Sequence, residues 1–343
     1  MVTYTLKIVE IRRETEDSIT LCFKQPGLRK IKYLAGQYLT LIFRINGRRY
    51  IRPYSFSSAP SVDAMLEITI KRIPNGLVSN HIHDKVKIGD SIEVLQPMGD
   101  FICEDISREV LLWGVGSGIT PLLSIAKELL NLHEHVKVSL IYGNRNHETT
   151  IFIAKIQQLE KLYPDRFLVK HFHTQFKINP NIPGLIEGRI NQERAIKIIC
   201  EINPHHSANH FICGPSGLKT SVKSALKLKG FADKQIFAED FELVKDPKDF
   251  ENINTQNITL KFGQSEFDLE VIKGKSILES ALDTGIELPY SCQTGNCSTC
   301  KGKLLSGEVK MIGLTKERED LLVDEYLVCC THPLSDYVYI EIA

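Results

Sequence analysis

The chain has 343 residues, 42 of them Lys or Arg and 42 Asp or Glu, for a formal charge of zero. A charged fraction of 24% and a hydrophobic fraction of 43% describe an ordinary globular protein of two or three domains, each able to bury a core. Neutrality removes any global field for nucleic acid or an anionic membrane, and no apolar run approaches the ~18 residues of a spanning helix.

The first residues, Met1 to Ile8, alternate like a strand and lack the charged and apolar regions of a signal peptide. A cytoplasmic location is expected, where structural disulfides are rare. The nine cysteines therefore need another explanation. Residues 1–105 read as short alternating strands broken by turns, with helical periodicity only near Leu77–Asp84. That is the pattern of a small antiparallel β-barrel. Two segments there carry chemistry. Arg52-Pro53-Tyr54-Ser55-Phe56-Ser57-Ser58 combines a cation, a flat ring and hydroxyls, and Gly76-Leu77-Val78-Ser79-Asn80 opens the helix as a candidate phosphate seat. On composition alone a core tyrosine and an ordinary helix cap explain them equally well.

Residues 106–243 alternate strands with helices. Strands are expected at Glu109–Trp113, Val136–Tyr142, Phe167–Phe172, His210–Cys213 and Gln235–Ala238. Helices are expected at Leu122–Leu132, Ile151–Leu162, Gln192–Glu201 and Leu218–Lys229. This order implies an α/β doubly wound parallel sheet with ligands gathered at the carboxyl ends of its strands. Gly114-Val115-Gly116-Ser117-Gly118-Ile119-Thr120-Pro121 joins the first strand to its helix, where glycines let the backbone approach a pyrophosphate. Tyr142-Gly143-Asn144-Arg145, Thr174-Gln175 and Cys213-Gly214-Pro215 fall at later strand ends, so a dinucleotide is the expected ligand.

Residues 244–256 are polar, contain a proline and show little apolar periodicity, as a linker would. From Asn257 onward there are 8 Lys/Arg and 14 Asp/Glu, hence −6, leaving 34 and 28, hence +6, for the rest. An acidic module thus follows a basic body. Cys292, Cys297 and Cys300, with a further cysteine after 28 residues, have the ligand spacing of a plant-type [2Fe–2S] centre. Gly295 supplies backbone freedom so that amides can turn toward the sulfurs. Cys329 and Cys330 compete for the fourth position. A four-cysteine zinc site is the alternative, but zinc ribbons favour two separated Cys-x2-Cys knuckles. Strands at Asn257–Leu260, Asp268–Val271 and Tyr337–Glu341 and a helix at Ser276–Asp283 complete a β-grasp pattern.

These motifs, in this order, resemble the ferredoxin-NADP reductase family with a plant-type ferredoxin fused at the C-terminus. The combination is similar to the reductase components of multicomponent oxygenases, and within them to the phenylacetyl-CoA epoxidase reductases. The likeness includes Pro97-Met98-Gly99-Asp100-Phe101, Glu187-Gly188-Arg189-Ile190 and Ala238-Glu239-Asp240-Phe241. The end Leu327-Val328-Cys329-Cys330-Thr331-His332-Pro333 resembles the ferredoxin pattern that selects Cys329 as the fourth ligand.

The resemblance implies that FAD is bound by Arg52, Pro53, Tyr54, Ser55, Lys71, Gly76, Val78 and Ser79. Arg52 would meet the pyrophosphate, Tyr54 the ring system and Ser55 its N5. Gly116, Gly118, Thr120, Pro121, Gly214 and Pro215 would shape the nicotinamide coenzyme site. Cys213 and Glu239 would act with Ser55 in hydride transfer, and Phe241 would help close the pocket. The coenzyme is expected to be NADPH or NADH, because Thr174-Gln175 replaces the Ser-Arg of NADPH-using relatives, and Arg145 or Lys177 could supply the missing charge. The implied function is electron transfer from NAD(P)H through FAD and the cluster to an acceptor oxygenase or other redox protein. A non-catalytic iron–sulfur carrier or sensor is the alternative. The histidine pairs at 81/83, 133/135, 171/173 and 205/206 read as surface or core residues. Cys22, Cys103 and Cys200 read as buried small hydrophobes, Trp113 as core, and Cys330 as a bystander with an exposed thiol.

Overall fold

The computed structural model describes residues 2–25, 27, 30–104, 108–175, 185–243, 245–314 and 318–342. Lys177, position 244 and the expected boundary at 105/106 lie outside the described residues. The chain divides into two compact units, Met1–Phe43 with Tyr54–Asp240 and Arg44–Pro53 with Phe241–Ala343.

The first expected domain contributes β1 (Thr3–Thr15), β2 (Ser18–Phe23), β3 (Tyr38–Ile45), β4 (Arg48–Ser55), β5 (Leu66–Lys71), α1 (Leu77–Lys85) and β6 (Ser91–Leu95). Its sheet has the order β4-β3-β6-β1-β2-β5. β1 pairs with β6 through its first half and with β2 through its second, with a register shift between Ile8 and Glu10. Such an irregularity bends a strand, which lets one strand serve both halves of a curling sheet. The Phe56–Ile68 bridge joins the residue after β4 to β5 and closes the barrel. Leu6, Ile8, Leu21, Leu39, Leu41, Phe56 and Ile68 are buried in its interior.

The second domain runs β7 (Glu109–Val115), α2 (Ile119–Leu132), β8 (Lys137–Asn144), α3 (Ile153–Leu162), β9 (Phe167–His173), β10 (Leu185–Glu187), α4 (Gln192–Ile202), β11 (Asn209–Cys213), α5 (Ser216–Leu228) and β12 (Ile236–Glu239). All strands pair in parallel in the order β10-β9-β8-β7-β11-β12. The near-continuous apolar runs of β7, β8 and β11 suit strands covered on both faces. One face packs Leu112 and Leu140 against Leu122, Leu130 and Ile156, and the other packs Trp113 and Ile141 against Ile198, Ile199 and Val222.

The expected strands and helices are all present, and β10 is an addition. α2 begins three residues before its expected start, because Gly116–Gly118 form a 3-10 turn that runs directly into it. Cys22 is buried as expected, Cys103 is half-buried, and Cys200 is exposed. The last is a correction. Cys200 follows the buried Ile198 and Ile199 on α4, and the next helical step carries its side chain round to the solvent face.

The second unit contains β13 (Gln256–Phe262), β14 (Ser265–Val271), α6 (Ile277–Asp283), β15 (Lys301–Ser306), β16 (Val309–Met311), β17 (Glu325–Leu327), β18 (Thr331–Pro333) and β19 (Val338–Ile342). Its five-stranded sheet has the order β14-β13-β19-β15-β17, with β13 antiparallel to β14 and parallel to β19. Ser276 and Glu279 cap α6 reciprocally, each side chain accepting the other's backbone N–H. Ahead of β13, Pro247–Phe250 form a 3-10 turn and Ile253 is buried, order that the polar composition of 244–256 does not announce. No helix among the described residues is long and apolar enough to cross a membrane.

One contact governs how the parallel sheet presents its carboxyl edge. A Cβ on Gly118 would lie 2.1 Å from the carbonyl oxygen of Cys213. The carbonyl belongs to the backbone and the backbone also fixes the position of a Cβ, so neither can rotate away. Gly118→Ala is expected to destabilise the protein by about 3 kcal/mol, read as a lower urea midpoint at unchanged slope.

Candidate functional site

The register of the parallel strands aligns their carboxyl ends. Cys213 lies opposite Gly114 on one side and Glu239 on the other, and Gly114 lies opposite Tyr142. Ser55, at the end of β4, reaches this edge and donates from its hydroxyl to Glu239 Oε2 at 3.5 Å. The three expected hydride-transfer residues therefore meet, although they are 158 and 26 positions apart in sequence. Burial pushes the Glu239 carboxyl up to about 8, aided by Asp240 and Asp100 and opposed by the Ser55 hydrogen bond. Burial likewise holds the Cys213 thiol neutral, well above its ordinary value, and the nearby Glu239 and Asp240 add to the shift. Asp240 itself is ion-paired with Lys219.

Around this edge the glycine-rich turn is tied down by side-chain hydroxyls that donate to its carbonyls. Gly116 has φ +56°, and its carbonyl accepts from the Tyr142 hydroxyl at 3.0 Å. Thr120 donates to the Ser117 carbonyl at 3.0 Å, and Pro121 is buried in the first turn of α2. Gly214 follows Cys213, and the exposed Pro215 precedes α5. Arg145 is exposed, and the backbone bonds Thr174 N to Asn144 O (3.1 Å) and Gln175 N to Arg145 O (2.6 Å) bring the 174–175 pair beside it.

In the barrel, Gly76 precedes α1. Ser79 Oγ accepts from Ile73 N at 3.2 Å, Val78 is buried, and Lys71 Nζ lies 3.4 Å from Asp17. Tyr54 is half-buried. Arg52 and Pro53 belong to the second unit, where Arg52 Nη1 donates to the Ile51 carbonyl at 2.8 Å. Phe241 also belongs to the second unit and is 45% exposed.

In the second unit the four expected ligands converge as two pairs. The thiols of Cys292 and Cys297 are hydrogen-bonded to each other, and so are those of Cys300 and Cys329. Cys292, Cys300 and Cys329 are buried and Cys297 is half-buried. The backbone N–H groups of Thr294 and Cys297 point at Cys292 Sγ, at 3.5 and 3.3 Å. The hydrogen bond from Cys292 holds the Cys297 thiol low, toward the thiolate that binds iron. Two pairs of thiols fit two irons with two thiolates each. Gly295 takes φ +73°, where an added Cβ would fall 2.2 Å from Leu314 Cδ2.

Cys330 requires a correction. Its thiol is buried rather than exposed and donates to the Leu327 carbonyl at 3.3 Å. Sequence reasoning also misses Arg318, whose guanidinium grips the carbonyls of Gly295 and Cys297 and is held in turn by Asp320. Nothing in the cysteine spacing points to a residue that far along the chain.

The fold and these two sites define a modular redox protein, a flavin-binding barrel and a nicotinamide-binding sheet with a [2Fe–2S] ferredoxin module. The chain belongs to the ferredoxin reductase components of oxygenase systems. An oxidoreductase FAD-binding domain matches residues 5–102, an oxidoreductase NAD-binding domain 112–224, and a 2Fe-2S iron-sulfur cluster binding domain 261–334. The ferredoxin reductase component of 3-ketosteroid-9-alpha-monooxygenase from Mycolicibacterium smegmatis is 32% identical, over 97% of this chain and 95% of the relative. A 1,2-phenylacetyl-CoA epoxidase subunit from Escherichia coli is 29% identical, over 98% and 97%. The structure of phthalate dioxygenase reductase shares the fold with a TM-score of 0.69 at 24% identity, covering 99% of this chain and 98% of that one. The protein is accordingly an NAD(P)H-dependent oxidoreductase that uses FAD and a [2Fe–2S] cluster and passes electrons to an oxygenase system.

Two outcomes follow from the geometry. Cys329→Ser should abolish or alter the [2Fe–2S] absorbance and iron content, while Cys330→Ser should keep both, since a serine hydroxyl can donate to the Leu327 carbonyl as the thiol does. Glu239 carries a raised pKa, so between about 4.5 and about 8 the native state holds a proton that the unfolded state has released. Its contribution to stability is present below that window and declines as pH rises through it. Urea titrations from pH 5 to 9 should show this decline in the wild type and a flatter profile in Glu239→Gln.

Proposed function

We propose that FAD is held within residues 1–105, NAD(P)H within 106–243 and the cluster within 257–343, with 244–256 as the connecting segment. Bound FAD supplies the change from two-electron to one-electron chemistry, and the cluster supplies the one-electron exit. The remaining work belongs to the side chains. Arg52 pairs with the flavin pyrophosphate through its guanidinium fork. Tyr54 stacks on the ring system, and Lys71, Gly76, Val78 and Ser79 line the phosphate and ribityl end. Gly116, Gly118, Thr120 and Pro121 shape the coenzyme turn, with Gly214 and Pro215 beside the nicotinamide.

Ser55, Cys213 and Glu239 orient the two rings for hydride transfer. Glu239 keeps its proton near neutral pH, so no charge is buried against the nicotinamide. Phe241 helps to close the pocket. The meeting of Ser55, Cys213 and Glu239 at one sheet edge is the observation that carries this reading. Cys292, Cys297, Cys300 and Cys329 would hold the cluster, which supplies one-electron chemistry when bound.

NADPH is our preferred donor over NADH. What supports this is the exposed cation of Arg145, which backbone bonds set beside Thr174 and Gln175. For the acceptor, the epoxidase resemblance favours a phenylacetyl-CoA epoxidase-type oxygenase. A ketosteroid monooxygenase-type partner is the second reading, favoured by the 32% identity to that reductase component. Reconstitution with each purified oxygenase component, reading product formed per NADPH consumed, separates the two.

The wild-type protein should bleach in both its flavin and cluster bands on anaerobic addition of NADPH. Cys213→Ala should slow the flavin phase by roughly tenfold through loss of ring alignment while leaving cluster content unchanged. Protein that is red but lacks flavin would instead indicate an iron–sulfur carrier.

A further inference from the structure

The second unit joins two stretches of chain far apart in sequence, Arg44–Pro53 and the loop that carries Cys292. Their junction centres on one residue. Ile51 is 1% exposed, its N–H donates to Tyr290 Oη at 3.1 Å, and its carbonyl accepts from Gln293 Nε2 at 3.1 Å. The two gripping residues stand immediately around a cluster ligand, two positions before Cys292 and one after it. Tyr290 is itself buried, and its hydroxyl is bonded to the Arg52 side chain as well as to Ile51. Arg44 and Glu287 add an ion pair at 3.7 Å.

The backbone supplies a second, independent observation. Gln293 has φ +58°, a left-handed conformation that a non-glycine residue seldom takes. Backbone in such regions persists only where surrounding contacts hold it. The side chain of Gln293, fixed at Ile51, is such a contact. β4 is the last strand in its sheet order, and an edge strand has peptide groups free to bond outside the ladder.

We propose that the backbone of Ile51 is the anchor of the cluster loop, and that Tyr290 and Gln293 are positioning residues that hold Cys292 at a fixed place relative to segment 44–53. Their position sets how fast reducing equivalents reach the cluster. This rests on the reading in which Arg52 and Tyr54 hold the flavin, because Ile51 precedes them by one and three residues of chain.

The test uses the full chain with its cofactors and two variants. Gln293→Gly keeps the left-handed turn and removes the grip on the Ile51 carbonyl; Tyr290→Phe removes the acceptor for the Ile51 N–H. Both should retain iron content and flavin bleaching by NADPH at the wild-type rate. Hydrogen–deuterium exchange in peptides covering 44–53 should rise at Ile51 by roughly tenfold or more. In rapid mixing with NADPH, the cluster phase should slow by roughly tenfold.

Faster exchange with an unchanged cluster phase would reduce the contact to packing and overturn the proposal. Unchanged exchange at Ile51 in both variants would overturn it as well, by showing that the anchor does not operate in solution. Loss of the cluster in Gln293→Gly would make that residue part of cluster assembly and not a positioning residue. If wild-type flavin fails to bleach with NADPH, the proposed electron route fails, while the exchange arm still decides whether Ile51 is the anchor.

Discussion

The Cys213 carbonyl stands where a side chain at position 118 would begin, and the arrangement of the first unit depends on that approach. It allows the glycine turn and the end of β11 to pack at backbone distance, which parallel pairing alone does not achieve. With the strands in register, Cys213 then falls opposite Glu239, and the chain returning from the barrel brings Ser55 to the same place. Desolvation at that point keeps a carboxyl and a thiol neutral together. That neutrality fits the role proposed above for these residues.

The second unit solves a different problem. A cluster needs four thiolates close together, yet unpaired thiolates repel one another and resist burial. The loop answers with backbone N–H groups aimed at Cys292 and with Arg318 fastened to the carbonyls of Gly295 and Cys297. Cys329 arrives from after β17, beside Cys300, so closing the site requires the β-grasp sheet to be formed. Cofactor binding and folding of the module are thereby coupled.

Much of the architecture can be read directly from the chain. The apolar runs of β7, β8 and β11 and the amphipathic helices between them announce a doubly wound sheet because their periodicities are local properties. The spacing from Cys292 to Cys300 announces an iron–sulfur loop for the same reason, since three ligands within nine residues constrain one another. β10 escapes such a reading because it has three residues, too few to show a period. Cys200 misleads because apolar neighbours in sequence need not share a helical face. Cys330 misleads because its burial depends on the carbonyl of Leu327 and on the sheet that covers it.

The sequence by itself determined the order of the three modules and the spacing of the cysteines, since these follow from residue type and short-range pattern, while FAD was implied by the family resemblance. Tertiary structure decided which of Cys329 and Cys330 turns its thiol to Cys300, which thiols pair, and that Ser55, Cys213 and Glu239 meet. It also decided that Arg318, Tyr290 and Gln293 take part in holding the loop around Cys292. Apart from the pairing of Cys292 with Cys297, those facts rest on contacts between residues tens to hundreds of positions apart, and only strand register and backbone packing set such distances. The zero net charge shows the same division. Its separation into a basic body and an acidic module can be counted along the chain, whereas the bonds from Tyr290 and Gln293 to Ile51 are visible only after folding.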